Sequence, residues 1–505
     1  MSLRISGIAI FFIFICEMLQ LSAYAQTMDG EVHLPETFPG NYIWINSIEI
    51  SGNKKTREKI IARELDFKLG DSLATTDIEP HPRMFERKRF SRADSSEVVR
   101  RLNYSRENII NTKLFLMVDL YLEQVEDFNY RLRIEVQERW YLWVFPVIKL
   151  DHPNFNDWLR DPDLSLLSQG LFISENNMWG LSHQASLVGY LGSSQGIGVG
   201  YFIPWIGKGQ KIGMRFAGAY RNSAVVEYGS KMNDRQILYE QGSLKEFNLM
   251  NTFTLRPGLY NYGKIRIMAT NLLMSDELYN LTLNDSLANF LPGENKSVSY
   301  FNLYIEYTYD SRNSHAYPLK GNYLTGFVDK RGLGILSRDV DYFYYGIDFH
   351  FYQKLSEKWY TAEMVKLVNS SSQNIPYYFK QDMTSKGNFI RGYDYYALRG
   401  DQLYYFRSNL KYQLIKPGIM KARKEKHKDS QFRNLPYAFY LNTFADVCYV
   451  AEKFYGDFNS YNNRMLYSWG VGLDFITYYD LVLRFEYAFT ILGTHGFYFG
   501  FGMPI

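Results

Sequence analysis

The sequence has little cysteine, scattered histidines and an almost neutral charge, and each of these features excludes a class of protein. Its 505 residues include 2 Cys and 8 His, and the formal net charge is +3. No histidines have the paired spacing of metal ligands, so no metal site is predicted. No glycine-rich loop opens a helix as phosphate binding requires. The sequence therefore predicts no catalytic residues, no cofactor and no nucleic-acid partner.

The N-terminus predicts export. Residues 1–25 contain Arg4, an apolar run over residues 8–16 and the small-residue site Ala23-Tyr24-Ala25, which together are typical of a cleavable secretory signal. A membrane anchor is the alternative, but the run is about half of the ~20 residues that a bilayer span needs. Removal of the signal leaves Cys448 alone, which excludes an internal disulfide.

The rest of the chain is rich in aromatic residues but polar on average. It has 43 Tyr and 36 Phe, and its mean hydropathy is −0.29. Apolar and polar residues alternate from Phe301 to Tyr309, and the same pattern recurs downstream. This pattern favours an antiparallel transmembrane β-barrel over a soluble β-sandwich. We predict a barrel over residues 139–505 with about 16 strands, the first near 139–149 and the last near 496–505.

A smaller domain is predicted before the barrel, over residues 43–138. A strand from Ile43 to Ile50, a helix with Thr56 as its N-cap, a second helix over 95–111 and two alternating strands follow one another. This order is typical of a small α+β domain. Residues 26–42 are interpreted as a linker.

Several segments carry a family resemblance. Ile48-Glu49-Ile50-Ser51-Gly52-Asn53, which leads into a helix, resembles the start of a POTRA domain. Tyr309-Asp310-Ser311-Arg312, followed by Tyr317-Pro318-Leu319-Lys320-Gly321, is similar to a periplasmic turn of the BamA/TamA superfamily of outer-membrane assembly and translocation proteins. Ile390-Arg391-Gly392-Tyr393 resembles the motif of that superfamily's long inserted loop. The resemblance implies one periplasmic POTRA domain followed by the barrel, with turn residues Asp310, Arg312, Pro318 and Gly321.

The motif at residues 390–393 is the main candidate site. A long loop held inside a wide barrel needs an anchor, and the guanidinium of Arg391 suits a carboxylate on the inner wall. Gly392 permits a close backbone approach, and Tyr393 can cover apolar surface. Asp446 is the favoured partner because the alternation of its strand places it inward, and Asp474 and Glu486 are its rivals. A solvated loop without a fixed partner is the alternative.

A seam between the first and last strands is the second candidate feature. Pro146, in the predicted first strand, lacks the N–H that a strand ladder needs and would weaken closure there. Phe499 and Phe501 lie in the predicted last strand. In the alternative interpretation Pro146 ends a short strand or lies in a linker.

The resemblance implies a function in the outer membrane of a diderm bacterium. The expected function is assembly or insertion of outer-membrane proteins, with unfolded outer-membrane clients, outer-membrane lipid and periplasmic lipoprotein subunits as partners. The alternatives are a dedicated secretion or lipid-translocation transporter of the same superfamily and a structural or channel barrel.

Overall fold

A computed structural model describes most of the chain. The described residues are 31–35, 37–75, 97–152, 158, 162–206, 211–258, 260–284, 289–314, 317–372, 374–383, 390–421, 434–454, 456, 458–476 and 482–501. The predicted signal at residues 1–25 and the C-terminal Ile505 lie outside these ranges. The chain forms two units, one made of Tyr24–Trp143 with Ser174–Ala185 and the other of Val144–Ile173 with Ser186–Ile505.

The N-terminal unit contains a mixed sheet and two helices in its described part. In chain order its elements are β1 (Val32–His33), β2 (Tyr42–Ser51), α1 (Glu58–Ala62), β3 (Ser72–Ala74), α2 (Glu97–Asn111), β4 (Phe115–Glu126) and β5 (Asn129–Glu138). The strand order is β1-β4-β5-β2-β3, and β2 runs parallel to β5. Most of the alternating apolar residues of β4 and β5 are buried, and Leu120 and Ile134 are completely so. The alternation of apolar and polar residues in β4 and β5 therefore identifies the face of the sheet that packs on the helices.

Two short strands in this unit differ from the expected order. β1 lies within residues 26–42, which we interpreted as a linker, and Val32 pairs with Leu120 of β4. β3 pairs with the start of β2, where Ile43 faces Leu73. Both strands are too short for a period of two to appear in the sequence.

The predicted N-cap of α1 is wrong. Arg57 precedes the first helical residue, and no side chain caps the helix. Thr56 is buried instead, and its Oγ1 accepts a hydrogen bond from Nδ2 of Asn177 at 2.9 Å and donates to the Tyr141 hydroxyl at 3.0 Å. Tyr141 in turn donates to the Leu114 carbonyl at 3.1 Å. Burial raises the pKa of Tyr141, so this phenol stays protonated and completes the chain of hydrogen bonds.

The second unit is built on a 16-stranded antiparallel sheet, as predicted. Its strands, in the order of the sheet and of the chain, are β6 (Leu142–Leu150), β7 (Leu167–Met178), β8 (His183–Gly192), β9 (Gln195–Ile206), β10 (Ile212–Lys231), β11 (Asp234–Leu255), β12 (Asn261–Met274), β13 (Ser297–Asp310), β14 (Gly321–Arg331), β15 (Tyr342–Lys354), β16 (Trp359–Ser370), β19 (Gln402–Lys421), β20 (Asn434–Ala451), β21 (Met465–Ile476), β22 (Val482–Thr490) and β23 (His495–Phe501). Two further strands, β17 (Gln381–Asp382) and β18 (Arg399–Gly400), pair with each other, and α3 (Asp276–Asn284) follows β12. Because neighbouring strands are antiparallel, their connections alternate between a proximal end, where β6 begins, and a distal end, where β6 finishes.

The faces of this sheet are inverted relative to a water-soluble protein. Along β21 the exposed residues include Trp469 and Val471, which are 49% and 50% exposed, whereas Ser468 and Asp474 are buried. β13 repeats the pattern, with Ile305 exposed and Asn302 and Thr308 buried. An apolar outer face around a polar interior is typical of a transmembrane barrel and contradicts the sandwich alternative.

The two terminal strands occupy the ends of the strand order. β6 pairs with β7, and β23 pairs with β22. Within residues 142–150 and 495–501, β6 has β7 as its only strand neighbour and β23 has β22 as its only strand neighbour. No helix in the described ranges has both the length and the apolar character of a membrane span.

Candidate functional site

The distal connection between β16 and β19 packs against the inner face of the sheet. We call residues 371–401 the lumen loop. Its apolar side chains join a core cluster with inward-facing residues of the sheet, such as Tyr344 and Val450. The loop side chains in this cluster are Ile375, Tyr377, Phe379, Met383, Ile390, Tyr393 and Leu398. The loop therefore forms part of the interior of this unit.

Arg391 lies at the centre of a buried ionic cluster. Its side chain has no exposed surface, and its Nε donates to Oδ2 of Asp446 at 2.9 Å. Its Nη2 donates to Oδ1 of the same carboxylate, and its backbone N–H donates to Oδ2 at 3.2 Å. This paired geometry uses the planar fork of the guanidinium, which a lysine cannot reproduce. Asp446 lies on β20 and points inward, where its alternation predicts it.

Two further strands complete the pocket around the guanidinium. Nη1 of Arg391 donates to Oε1 of Glu486 on β22 at 3.1 Å and to Oδ1 of Asn409 on β19 at 3.0 Å. The ring of Phe444 lies under the guanidinium, with its centroid 3.6 Å from Cζ. Arg407 lies 3.5 Å from Asp446 and brings a second positive charge to the two carboxylates. One loop residue thus ties together three wall strands, β19, β20 and β22.

Gly392 sits where a side chain would collide with the wall. Its φ is +89°, and a Cβ built on it would lie 2.7 Å from Cγ2 of Thr490. The next residue, Tyr393, is buried and donates to the Tyr467 carbonyl at 3.0 Å. The motif therefore combines a charged anchor, a close backbone approach and an aromatic wedge.

Replacing Gly392 by alanine should loosen the loop, because it adds both a clash and an unfavourable φ. We expect a destabilisation of about 1–3 kcal/mol, read as faster cleavage of the lumen loop by protease added from the distal side. The additional change Thr490→Ser removes the clashing methyl group and keeps the hydroxyl, so it should restore part of the resistance. Equal cleavage of G392A and the unchanged protein would contradict the close approach.

Two more ionic clusters hold the lumen loop at its ends. Nζ of Lys380 lies 2.8 Å from Asp401 and 2.7 Å from Glu452, and all three side chains are almost fully buried. Nε of Arg399 lies 3.0 Å from Oε1 of Glu227 on β10. The loop is thus fixed to β10 on one side and to the connection after β20 on the other.

Asp474, the remaining candidate partner, serves a different contact. Its Oδ2 accepts a hydrogen bond from the hydroxyl of Tyr317 at 2.7 Å. Tyr317 lies in the proximal turn between β13 and β14, is buried, and packs on Tyr440 with ring centroids 4.9 Å apart. Nζ of Lys411 lies 4.4 Å from the centroid of the Tyr317 ring. This turn therefore inserts its own aromatic anchor into the polar interior.

The four predicted turn residues shape the connection that carries this anchor. Arg312 pairs with Asp310 through Nε at 2.9 Å and Nη2 at 2.8 Å. Gly321 has a φ of +102°, and a Cβ there would lie 2.2 Å from the Ser311 carbonyl oxygen. Pro318 directly follows Tyr317. The structure brings these residues together in one proximal connection, whereas Arg391 lies in a distal connection.

The predicted seam residues lie in the two terminal strands. Pro146 is in the middle of β6 and is exposed, so it neither ends the strand nor lies in a linker. Phe499 lies in β23 and packs on Phe485 of β22 with ring centroids 5.0 Å apart. The backbone of Phe501 forms the end of β23.

The sequence analysis missed several residues of the cluster around Arg391 and of the cluster around Lys380. Asn409 and Phe444 could have been found from the alternation that placed Asp446 inward, because both occupy inward positions of their strands. Their register next to each other in β19 and β20 was not readable from the sequence. Lys380 and Glu452 carry no local signal, since each lies in a connection whose path depends on the rest of the fold.

The fold of this chain is similar to the folds of solved structures of BamA and CdiB. One similar structure is BamA from Haemophilus ducreyi lacking POTRA domains 1–3, with 16% identity, coverage of 91% of this chain and 84% of that chain, and a TM-score of 0.53. A second is CdiB from Escherichia coli, with 10% identity, 99% coverage of each chain and a TM-score of 0.51. No protein-family profile and no curated protein sequence matches this chain. These similarities establish the fold.

Proposed function

We propose that this protein assembles or inserts other proteins in the outer membrane of a diderm bacterium. The N-terminal unit would act in the periplasm as a POTRA-like receptor, and the barrel would open between its first and last strands. The observation that carries the proposal is the position of β6 and β23 at the two ends of the strand order. A strand edge with unpaired backbone groups is a template for another strand.

Two features of the terminal strands favour opening between them. Pro146 in the middle of β6 cannot donate to a ladder, so a pairing across this edge lacks one bond. The described part of β23 has 7 residues, and Phe497 on it is 82% exposed. A weak pairing that costs little to break would let a client strand enter beside β23, while the ring contact of Phe499 with Phe485 and the backbone pairing of Phe501 with Leu483 keep β23 attached to the wall.

The N-terminal sheet supplies a candidate receptor edge for unfolded clients. β1 covers only the middle of the outer edge of β4, through Val32 and His33, in the part of the chain that the structure describes. The N–H of Leu120 points toward this edge, since it donates to the Glu31 carbonyl. Because backbone groups alternate along a strand, the N–H of Gln124 points the same way. Addition of a client strand at such an edge relies on main-chain bonds and accepts many sequences.

Replacing Gln124 by proline should therefore weaken client capture without unfolding the unit. Gln124 is exposed at the end of β4, and proline at an edge position removes only the outward donor. We expect a several-fold loss in binding of an unfolded outer-membrane protein segment to the purified protein, measured by fluorescence anisotropy. Gln124→Ala loses the same side-chain bond to the Asp127 carbonyl but keeps the N–H, so it is the matched control. Equal losses in Q124P and Q124A would reject capture at this edge.

The proposed partners follow from the same geometry. Unfolded outer-membrane proteins would contact the β4 edge and then the seam, and outer-membrane lipid would contact the apolar outer face. Periplasmic lipoprotein subunits are expected to bind the proximal side. The second function to be tested is secretion or lipid transport for one dedicated client, and the third is a structural or channel role.

Conditional depletion in the native host, followed by quantitative proteomics of the outer membrane, separates these functions. Loss of many unrelated barrels is expected for an assembly factor. Loss of one or two proteins would indicate a dedicated transporter, and an unchanged outer-membrane proteome would reject the proposal in favour of a lipid or structural role.

A further inference from the structure

The strand β1 is the chain's own occupant of the outer edge of β4. It runs parallel to β4, with Val32 opposite Leu120 and His33 opposite Tyr121. The N–H of Leu120 donates to the carbonyl of Glu31 at 3.0 Å. β1 therefore binds this edge through the same kind of main-chain pairing that an added client strand would use.

The position of β1 divides the edge of β4 into two parts. β4 is regular from Val118 to Gln124, and the main-chain groups of alternate residues in a regular strand point to the same side. The N–H and C=O groups of Val118, Leu122 and Gln124 therefore point to the side that those of Leu120 face. β1 pairs at Leu120, in the middle of this row. A client strand that pairs along the whole row cannot be accommodated while β1 is in place.

β1 is much shorter than the edge that it occupies. It has 2 residues, whereas β4 has 12. Its main-chain pairing is supported by the Glu31 N–H, which donates to Oδ1 of Asp119 at 2.7 Å. The ring of His33 also stacks on the ring of Tyr121 with centroids 4.3 Å apart. A client strand that spans more of β4 would form more main-chain bonds than the departure of β1 breaks.

The chain that follows β1 is fixed by contacts of its own. Leu34 and Phe38 pack against the apolar core of the N-terminal unit. The centroid of the Phe38 ring lies 6.0 Å from that of Tyr130 on β5. These contacts would keep a released β1 tethered close to β4. A tethered segment rebinds at a high effective concentration, so it competes well with a client that is present at low concentration.

We propose that β1 is a built-in competitor of client strands, which closes the β4 edge and must leave before an unfolded outer-membrane protein segment adds there. The inference rests on the proposed capture of clients at this edge. The competition would select segments long enough to pair on both sides of Leu120, since a shorter segment gains no more than β1 loses. It would also protect the edge from pairing with a second copy of the protein.

A disulfide that locks β1 onto β4 tests the proposal. His33 and Tyr121 are direct partners in register, and neighbouring strands lie about 4.7–4.9 Å apart, within the Cα separation of about 4.4–6.8 Å that a disulfide bridges. The changes His33→Cys and Tyr121→Cys are introduced together in a Cys448→Ala background. The whole purified protein is oxidised with diamide or reduced with dithiothreitol. Binding of a fluorescent, unfolded outer-membrane protein segment to each form is measured by anisotropy.

The reduced form is expected to bind the segment at least about tenfold more tightly than the oxidised form, because only the reduced form can release β1. Both forms are the same chain, so a difference that reverses on reduction does not come from misfolding. Tyr121→Cys in the same background, without the second cysteine, is the matched control and should bind equally under both conditions. Adding Gln124→Pro to the reduced form should lower its affinity.

The outcomes separate the competition from the capture of clients. Equal affinity of the oxidised and reduced forms would overturn the proposal and leave client capture intact. Loss of binding on oxidation without any effect of Gln124→Pro would also overturn it, because the segment would then bind elsewhere. Absence of binding by both the reduced form and the unchanged protein would reject client capture itself, and the competition with it.

Discussion

Replacing Arg391 by alanine is expected to free the lumen loop while the protein is still exported. The substitution leaves Asp446 and Glu486 buried without the guanidinium that both contact. Removing one partner of a buried ion pair typically costs about 3–5 kcal/mol, because the remaining charge is not solvated. The ring of Phe444 also loses the cation above it. We expect the part of the loop around residues 390–393 to come away from the wall, because Arg407 and Arg484 stay beside the two carboxylates but belong to wall strands and do not hold the loop.

Two measurements check this prediction. Protease added outside intact cells should cleave the freed loop much faster than in the unchanged protein, and the level of client proteins in the outer membrane should fall. Arg464→Ala removes an exposed arginine from another distal connection and is the matched control. Arg391→Lys keeps the charge but not the paired hydrogen bonds, so it should be intermediate.

The two measurements have separate consequences. Unchanged protease resistance in R391A would show that the loop is not held by this contact. Faster cleavage with unchanged client levels, at normal amounts of the protein, would confirm the anchor but reject its part in the proposed function.

Replacing Tyr317 by alanine is expected to have the second large effect, on stability. The ring fills space against Tyr440, lies under the ammonium of Lys411 and donates to Asp474. Large-to-small changes of buried aromatic residues cost about 3–5 kcal/mol, and here two buried charged groups lose a partner as well. We therefore expect a clear fall in the urea concentration at the midpoint of unfolding, measured by tryptophan fluorescence in detergent.

Two variants separate the ring from the hydroxyl. Tyr317→Phe keeps the packing and removes only the hydrogen bond to a carboxylate, which should cost about 1.5–3 kcal/mol. Tyr307→Ala removes an aromatic ring that is 56% exposed on the outer face of β13 and should cost much less in detergent. A Y317A midpoint equal to that of Y307A would show that the inserted turn does not support the interior.

The alternation of residues determined most of the large sheet. It predicted about 16 strands and the positions of the first and last, and the sheet has 16 strands that begin with β6 and end with β23. The same period gave the inward direction of Asp446. These features are readable because side chains of a strand alternate between two faces with a fixed period, whatever the neighbours are.

The structure of the N-terminal unit was harder to predict from the sequence where its strands are short or where its contacts join residues far apart in the chain. β1 and β3 contain two and three residues, too few for a pattern. Thr56 has the residue type of an N-cap, yet a buried hydroxyl of Tyr141 competes for it and Arg57 takes the cap position. The preference of a threonine for the N-cap position is overridden when a buried polar group would otherwise lack a hydrogen bond.

The sequence by itself determined the strand period, the inward and outward faces and the residue types of the anchor motif. Only the tertiary structure decided which of three inward carboxylates meets Arg391 and which meets Tyr317, with Asp446 and Glu486 at the first and Asp474 at the second. The choice depends on strand register and on the path of two long connections. Neither is encoded by a local period, because both follow from contacts between residues far apart in the chain.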